Sequence, residues 1–341
     1  MKPNPMKAVI CFGEALIDFL NFNQSQQGPL TLPEFRQYPG GAPANAAVAV
    51  AKLGGNARFV GQVGKDAFGD FLIQAMAAYG VDTSLVFQHA EAKTALAFVM
   101  LDEQGERSFS FYRHQTADVL FNQQQCDPDW FDNNSILHLC SNTLTTEAIA
   151  DCSEHLVSLA QQQGALVSFD VNLRHNLWSA GEADRERVNQ LVYQADVVKF
   201  SKDELDYLAD GETDTYIQHC LQQGCRLLLV TDGANLIHYH TADDQGAVQP
   251  PQVKAADTTA GGDAFIGGFL YALSVIADAS VQISRPETLE PLLIFASHCG
   301  AHAVTQPGAF PALPTLTTVF RALAEQGHQP EQFRILFGSP E

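Results

Sequence analysis

The chain is poor in positive charge. Its 341 residues carry 19 Lys and Arg against 39 Asp and Glu, a formal net charge of -20 at pH 7. That balance offers nothing to offset the phosphates of nucleic acid or an anionic bilayer, so both are excluded as partners. A local basic pocket for a nucleotide is still allowed. The chain lacks any C-x-x-C pair. Its seven cysteines are scattered and odd in number, which suggests neither a zinc site nor a disulfide framework and points to a reducing cytoplasm. No uninterrupted apolar run approaches membrane-spanning length. The apolar N-terminus from Ala8 is broken by Glu14 and Asp18 and has no cleavage-site pattern, so it reads as a first strand rather than a signal peptide. The common nucleotide fingerprints are missing too. G-Q-V-G-K at 61–65 runs into Asp66 with the wrong spacing for a Walker loop, and no G-x-G-x-x-G follows a strand. Any nucleotide chemistry must use another device.

What is present is an ordinary apolar content of 46%, enough for a sizeable core. Short apolar runs at 8–12, 59–63, 135–140, 166–170, 197–200 and 227–231 read as strands. Between them lie helical patterns at 42–53, 68–79, 146–163, 183–194 and 202–208. This alternation argues for a mostly parallel sheet covered by helices on both faces. Two segments depart from it. Residues 16–22, and 94–113 with a polar turn near Gln104-Gly105, read as antiparallel strands of a small separate sheet suited to a lid. An exposed edge on such a sheet allows a homodimer.

The densest chemical signal is D-T-T-A-G-G-D at 257–263, followed by A-F-I-G-G-F-L. Small residues lead into a helix whose first amides are unpaired and attract an anion. Gly261 and Gly262 let a ligand approach the backbone closely. A carboxylate beside an anion site makes sense if Asp263 is a base working next to held phosphate. An N-capped helix with an acidic first turn accounts for the same residues. Other segments carry the same two-sided reading. P-G-G-A-P-A-N at 39–45 offers Gly40, Gly41 and Asn45 to a polyhydroxylated ligand, or forms a tight turn with an Asn cap. Asp18 can accept two sugar hydroxyls or face solvent. S-F-D-V-N-L-R at 168–174 sets Asp170, Asn172 and Arg174 at a strand end, where parallel sheets bind ligands. Arg174 there can neutralise a moving phosphoryl group. S-K-D-E at 201–204 is a capping box, or places Glu204 near hydrated magnesium. T-D-G at 231–233 follows a strand and is a turn or a nucleotide contact.

Taken together these segments resemble the ribokinase (PfkB-type) sugar-kinase superfamily, nearly end to end. The motifs at 39–45 and 257–263 resemble its two signatures in order, and F-G-E-A-L-I-D at 12–18 resembles its opening strand. F-D-V-N-L-R at 169–174 with Trp178, and G-A-H-A-V-T-Q-P-G-A at 300–309, resemble the branch of fructokinases, aminoimidazole riboside kinases and 2-keto-3-deoxygluconate kinases. E-R-S-F-S-F-Y-R at 106–113, continuing to T-A-D at 116–118, most resembles bacterial fructokinases.

The resemblance implies one kinase domain over 1–341, a ribokinase-like three-layer αβα sandwich with a mostly parallel central sheet and a small β-sheet lid from about 15–35 and 94–115. It implies an ATP-dependent fructokinase with magnesium and a potassium ion. Asp263 would be the base, with Ala260, Gly261, Gly262 and Arg174 around the transferred phosphoryl group. Asp18, Gly40, Gly41, Asn45, Asp170 and Asn172 would hold the sugar, with Phe98, Phe109, Phe111 and Arg113 shaping its pocket. Lys199, Ser201, Glu204, Thr231, Gly233 and Gly262 would serve the nucleotide, with Glu204 supporting magnesium through water. Asp257, Thr259, Ala303, Gln306 and Gly308 would hold the potassium. The alternatives within the branch are a 2-keto-3-deoxygluconate kinase, using Tyr112 and Arg113 for a carboxylate, and an aminoimidazole riboside kinase, using the three phenylalanines for a base. A non-catalytic sugar sensor is the remote alternative. The chain departs from the family pattern at Ala260-Gly261, at Ser201 and at Leu236, where the family more often has Gly-Ala, Asn and Gly.

Overall fold

The computed structural model describes residues 6–101, 107–329 and 333, with the side chains of 101 and 107–109 outside that description. The strands, in chain order, are β1 (Ala8–Phe12), β2 (Leu16–Gln27), β3 (Leu30–Gly40), β4 (Asn56–Gly64), β5 (Val86–His89), β6 (Leu96–Leu101) and β7 (Arg107–Tyr112). They continue as β8 (Ser135–Cys140), β9 (Leu166–Asp170), β10 (Val197–Ser201), β11 (Leu227–Thr231), β12 (Ile237–His240) and β13 (Gln245–Val248). The helices are α1 (Ala42–Lys52), α2 (Ala67–Ala78), α3 (Glu147–Gln162), α4 (Arg185–Gln194), α5 (Lys202–Ala209), α6 (Thr213–Gln223), α7 (Gly261–Val275), α8 (Ala279–Gln282), α9 (Pro286–Ala303) and α10 (Leu316–Glu325).

The main sheet has nine strands in the order β13-β12-β11-β10-β9-β8-β1-β4-β5. Strands from β11 across to β5 run parallel, and β12 and β13 are antiparallel additions at one edge. Alternate residues of one strand feed two cores, as buried parallel strands require. Val9 and Cys11 of β1 join the core beneath α1, α7 and α9, while Ile10 and Phe12 join the core beneath α3, α4 and α6. Leu227 and Leu229 of β11 face the first of these and Leu228 and Val230 the second.

The second sheet, β3-β2-β6-β7, is the small sheet the departing segments imply. Two details differ from the sequence reading. β2 and β6 run parallel, 17–20 beside 96–99, because the chain returns only after crossing the main sheet. The first lid segment also runs on past 35 as β3, to Gly40. Its pattern is too polar to announce a strand. It is an edge strand, a position where a proline such as Pro33 is tolerated.

Helix α7 crosses the centre of one face, clamped between α1 and α9. Its two adjacent glycines allow this. A Cβ at Gly267 would stand 3.1 Å from the Ala46 carbonyl, and one at Gly268 would stand 2.7 Å from Cys299 Sγ. This packing fixes the start of α7 over the carboxyl ends of the parallel strands.

Candidate active site

Helix α7 starts at Gly261 with Ala260 as its cap, and no side chain accepts from the first-turn amides. The Gly261 amide makes a long 3.4 Å bond to the Thr258 carbonyl, and the remaining first-turn donors and the helix dipole face outward as an anion seat. Two cavities meet there. One is polar, about 430 Å³, and is walled by Glu14, Leu16, Asp18, Gly41, Ala42, Asn45, Phe111, Arg113, Asn142, Asn172, Arg174, Leu177, Thr258, Thr259 and Asp263. The other is about 280 Å³ and mostly apolar. Thr231, Gly233, Pro250, Val253, Gly261, Gly262, Phe265 and Val304 are among its walls. Thr258 lines both. Successive residues of one helical turn thus point to different chambers, Gly261 and Gly262 to the apolar one and Asp263 to the polar one.

Asp263 is buried and accepts a 2.6 Å hydrogen bond from Asn45 Nδ2. Burial raises its pKa, while the Asn45 bond and the charges of Arg174 and Lys199 work against that rise. Asn45 is set by the turn before α1. Gly41 there has φ +105 and faces the Glu14 carbonyl oxygen so closely that a side chain has no room. The Oδ1 atoms of Asn45 and Asn142 are buried without a hydrogen-bond partner. Two such acceptors in a cavity wall call for a ligand that brings hydroxyl donors. Asp18 is pushed up to about 7 by burial, then by Asp263, Asp257 and Glu14. Glu14 is raised by burial, against Arg113 and the 2.9 Å bond from Asn142. Asn172 holds a positive φ of 37° in this wall, a costly backbone state for a residue other than glycine.

Arg113 lines the polar cavity, and its Nε lies 2.5 Å from Asp118 Oδ2 while Nη1 donates to the Asn142 carbonyl at 2.9 Å. Arg174 also lines the cavity, with Nη1 on the Leu173 carbonyl at 2.9 Å. Gly40 backs directly onto the Asp18 carboxylate. Phe111 faces the cavity, but Phe98 does not. It stacks on Phe19 at 5.0 Å and meets Phe35 and Tyr112 edge-on within the small sheet. The Phe109 side chain lies outside the described residues. Asp170 is also absent from the cavity wall, and both its oxygens accept from Lys199 Nζ at 2.9 and 3.1 Å.

Ser201 and Glu204 form the capping box of α5, and Glu204 also accepts from the Leu173 amide at 2.8 Å. That second bond ties the 168–174 segment to α5. Thr231 and Gly233 line the apolar cavity. Asp257 staples two loops, accepting from Thr259 N at 2.9 Å and Gly308 N at 3.1 Å. The Ala303 carbonyl, at the end of α9, accepts from Gln306 N at 3.1 Å. Asp257, Thr259, Ala303, Gln306 and Gly308 therefore sit in one connected region beside the anion seat.

Several wall residues were not anticipated. Glu14 and Asn142 lie at carboxyl ends of β1 and β8, the places where ligands of parallel sheets bind, and that rule could have found them. Pro250, Val253, Phe265 and Val304 carry no local chemical signal.

A hydroxyl-seeking chamber with a buried carboxylate, joined to an apolar chamber through an anion seat, defines a nucleotide-dependent kinase of polyhydroxylated small molecules. The chain belongs to the pfkB family of carbohydrate kinases, whose pattern it matches over residues 6–316. It is similar to fructokinase-1 of Oryza sativa subsp. japonica, 38% identical over 317 residues, covering 92% of this chain and 97% of that one. Fructokinase from Xylella fastidiosa with bound ATP superposes with a TM-score of 0.88 at 45% identity, covering 95% of this chain and all of that one. A fructokinase double mutant from Vibrio cholerae O395, bound to fructose, ADP and a potassium ion, gives 0.83 at 34% identity, with 93% and 98% covered.

Proposed function

We propose that this chain is an ATP-dependent fructokinase that converts fructose and ATP to fructose 6-phosphate and ADP. The observation that carries this is the split of one helical turn between two chambers, with the anion seat at their junction. Asp263 takes the proton of a primary hydroxyl, and the alkoxide oxygen bonds to the γ-phosphorus as the bond to the β-phosphate oxygen breaks. The amides at Gly261 and Gly262, the helix dipole and Arg174 offset the charge on the moving group. Asp18, Asn45, Asn142 and Asn172 orient the sugar, and the apolar chamber takes the adenine.

Magnesium and potassium belong to this proposal. Each oxygen of Glu204 already accepts one amide, at 2.7 and 2.8 Å, which suits holding a water on magnesium better than direct ligation. Magnesium, when bound, neutralises phosphate charge. The Asp257 staple gathers loop carbonyls that suit a monovalent cation, which would order the loop before α7. The small sheet acts as the lid over the sugar. Its exposed Phe22, Leu30 and Tyr112 suit pairing of two copies. A reducing cytoplasm fits the seven free cysteines.

Two observations favour fructose over the other sugars of the branch. Arg113 is already neutralised by Asp118, so it is not waiting for a substrate carboxylate. Phe98 stacks away from the cavity, so it offers no platform for a base. The test is a panel of fructose, ribose, aminoimidazole riboside and 2-keto-3-deoxygluconate with ATP. The expected result is fastest ADP release with fructose. Preference for another member would overturn the substrate, and tight sugar binding without turnover would make the chain a sensor.

A further inference from the structure

We propose that Lys199 and Asp170 form a charged floor under the phosphoryl seat, with Lys199 holding a fixed cation beneath α7 and Asp170 orienting it rather than binding sugar. This rests on the kinase reading above. The two residues are register partners on neighbouring strands, β10 and β9. Both are almost fully buried, at 5% and 2% exposure. The Lys199 ammonium uses both oxygens of Asp170. A Cβ built on Gly262 would stand 3.4 Å from that ammonium, its one contact within 4 Å among the described residues outside its chain neighbours and its own helix backbone. The cation therefore lies directly against the second residue of the anion-binding turn. Behind it sits His138, bonded to Ser168 Oγ at 3.2 Å and held neutral by burial and by Lys199 itself. Among the described residues, no second cation competes from that side. A buried ion pair seldom repays its desolvation with stability, so its place under the seat is the more informative fact.

Burial opposes the Lys199 charge, but Asp170, Glu204 and Asp263 sustain it. The charged and titratable groups facing Asp263 are Lys199 and Asp170, Arg174, Asp18 on β2 and Cys140 on β8. Removing the Lys199 cation removes one of the two, with Arg174, that favour ionised Asp263 among the described residues. The acid limb of kcat then moves to higher pH.

Lys199→Met alone strands a buried carboxylate, so the test uses Lys199→Met/Asp170→Asn, which leaves no unpaired charge, together with Asp170→Asn. For the double variant, kcat should fall about 100-fold, fructose KM should stay within about threefold, and the acid limb should shift upward. Calorimetry without sugar should show the preference for ATP over ADP falling about tenfold. A variant keeping wild-type kcat, acid limb and ATP preference overturns the proposal. So does Asp170→Asn raising fructose KM more than about tenfold at unchanged kcat, because Asp170 is then a sugar ligand. A wild-type protein that phosphorylates no sugar, with ATP preference still lost in the double variant, sinks the fructokinase reading and keeps this one.

Discussion

At the scale of single residues, the polar cavity is a place where carboxylates are kept from charging freely. Asp18, Glu14 and Asp263 share one wall region, and burial raises all three. Asp18 has a folded pKa of about 7 against about 4 unfolded. Its folded state therefore binds the extra proton more tightly. The resulting stability is full below the unfolded value and is lost as pH rises through about 7. Asp18→Asn should flatten the melting temperature of the ligand-free protein between pH 5 and pH 8, by about 2 °C at the upper end. Calorimetric melts across that range check it. The same variant should raise fructose KM about tenfold or more, since one hydroxyl acceptor is gone. Wild-type kcat/KM should fall as pH drops through about 7, where Asp18 takes up its proton, and initial rates at varied pH would show it. The heptad at 257–263 singled out Asp263, but a capped helix explains the same residues, and only the heptad's place after the 39–45 motif favoured a base. The partners were less readable. Lys199 lies 29 residues from Asp170, and nothing local announces that the two meet. Asp118 was noted only within the T-A-D run at 116–118, and its pairing with Arg113 appears only in the fold.

At the scale of elements, α7 is the part on which the site depends. Adjacent Gly267 and Gly268 let it sit between α1 and α9, and so hold the Gly261 turn at the junction of the cavities. Gly268→Val would press on Cys299, whose Sγ would lie 2.7 Å from the new Cβ. It should destabilise the fold by about 1–3 kcal/mol, and urea unfolding followed by circular dichroism measures this. A second structural coupling runs through Glu204, which ties the 168–174 segment to the start of α5. Glu204→Gln should lower turnover more than it lowers stability, and the loss should shrink at higher magnesium. A magnesium titration of the variant checks this. Strands buried on both faces were legible because their apolar runs are nearly continuous, as in β1, β8, β9 and β11. Strands β3, β12 and β13, at or beside sheet edges, were not. β3 is polar and carries Pro33, and β12 with β13 are short and half exposed, so their pattern is set by pairing rather than by burial.

At the scale of the whole molecule, two sheets divide the labour. The nine-stranded sheet carries the anion seat at its carboxyl edge, and the four-stranded sheet contributes Leu16, Asp18 and Phe111 to the polar cavity. Fructose should therefore order the small sheet. Hydrogen exchange at β2, β3 and β6 should slow on adding the sugar, and exchange in the core of β9 and β10 should change little. The parallel architecture was legible from alternation alone. The two-chamber division was not, because the apolar chamber is built from α9, the 250–255 segment and α7, which meet only in the fold. In the proposed reaction the polar chamber holds the sugar while Asp263, at its junction with the apolar chamber, takes the proton. The most direct measurement of this is Asp263→Asn with fructose and ATP, following ADP release and fructose affinity together. Fructose binding should stay within about threefold of wild type while turnover falls about 1,000-fold or more. Near-normal turnover in that variant would contradict it.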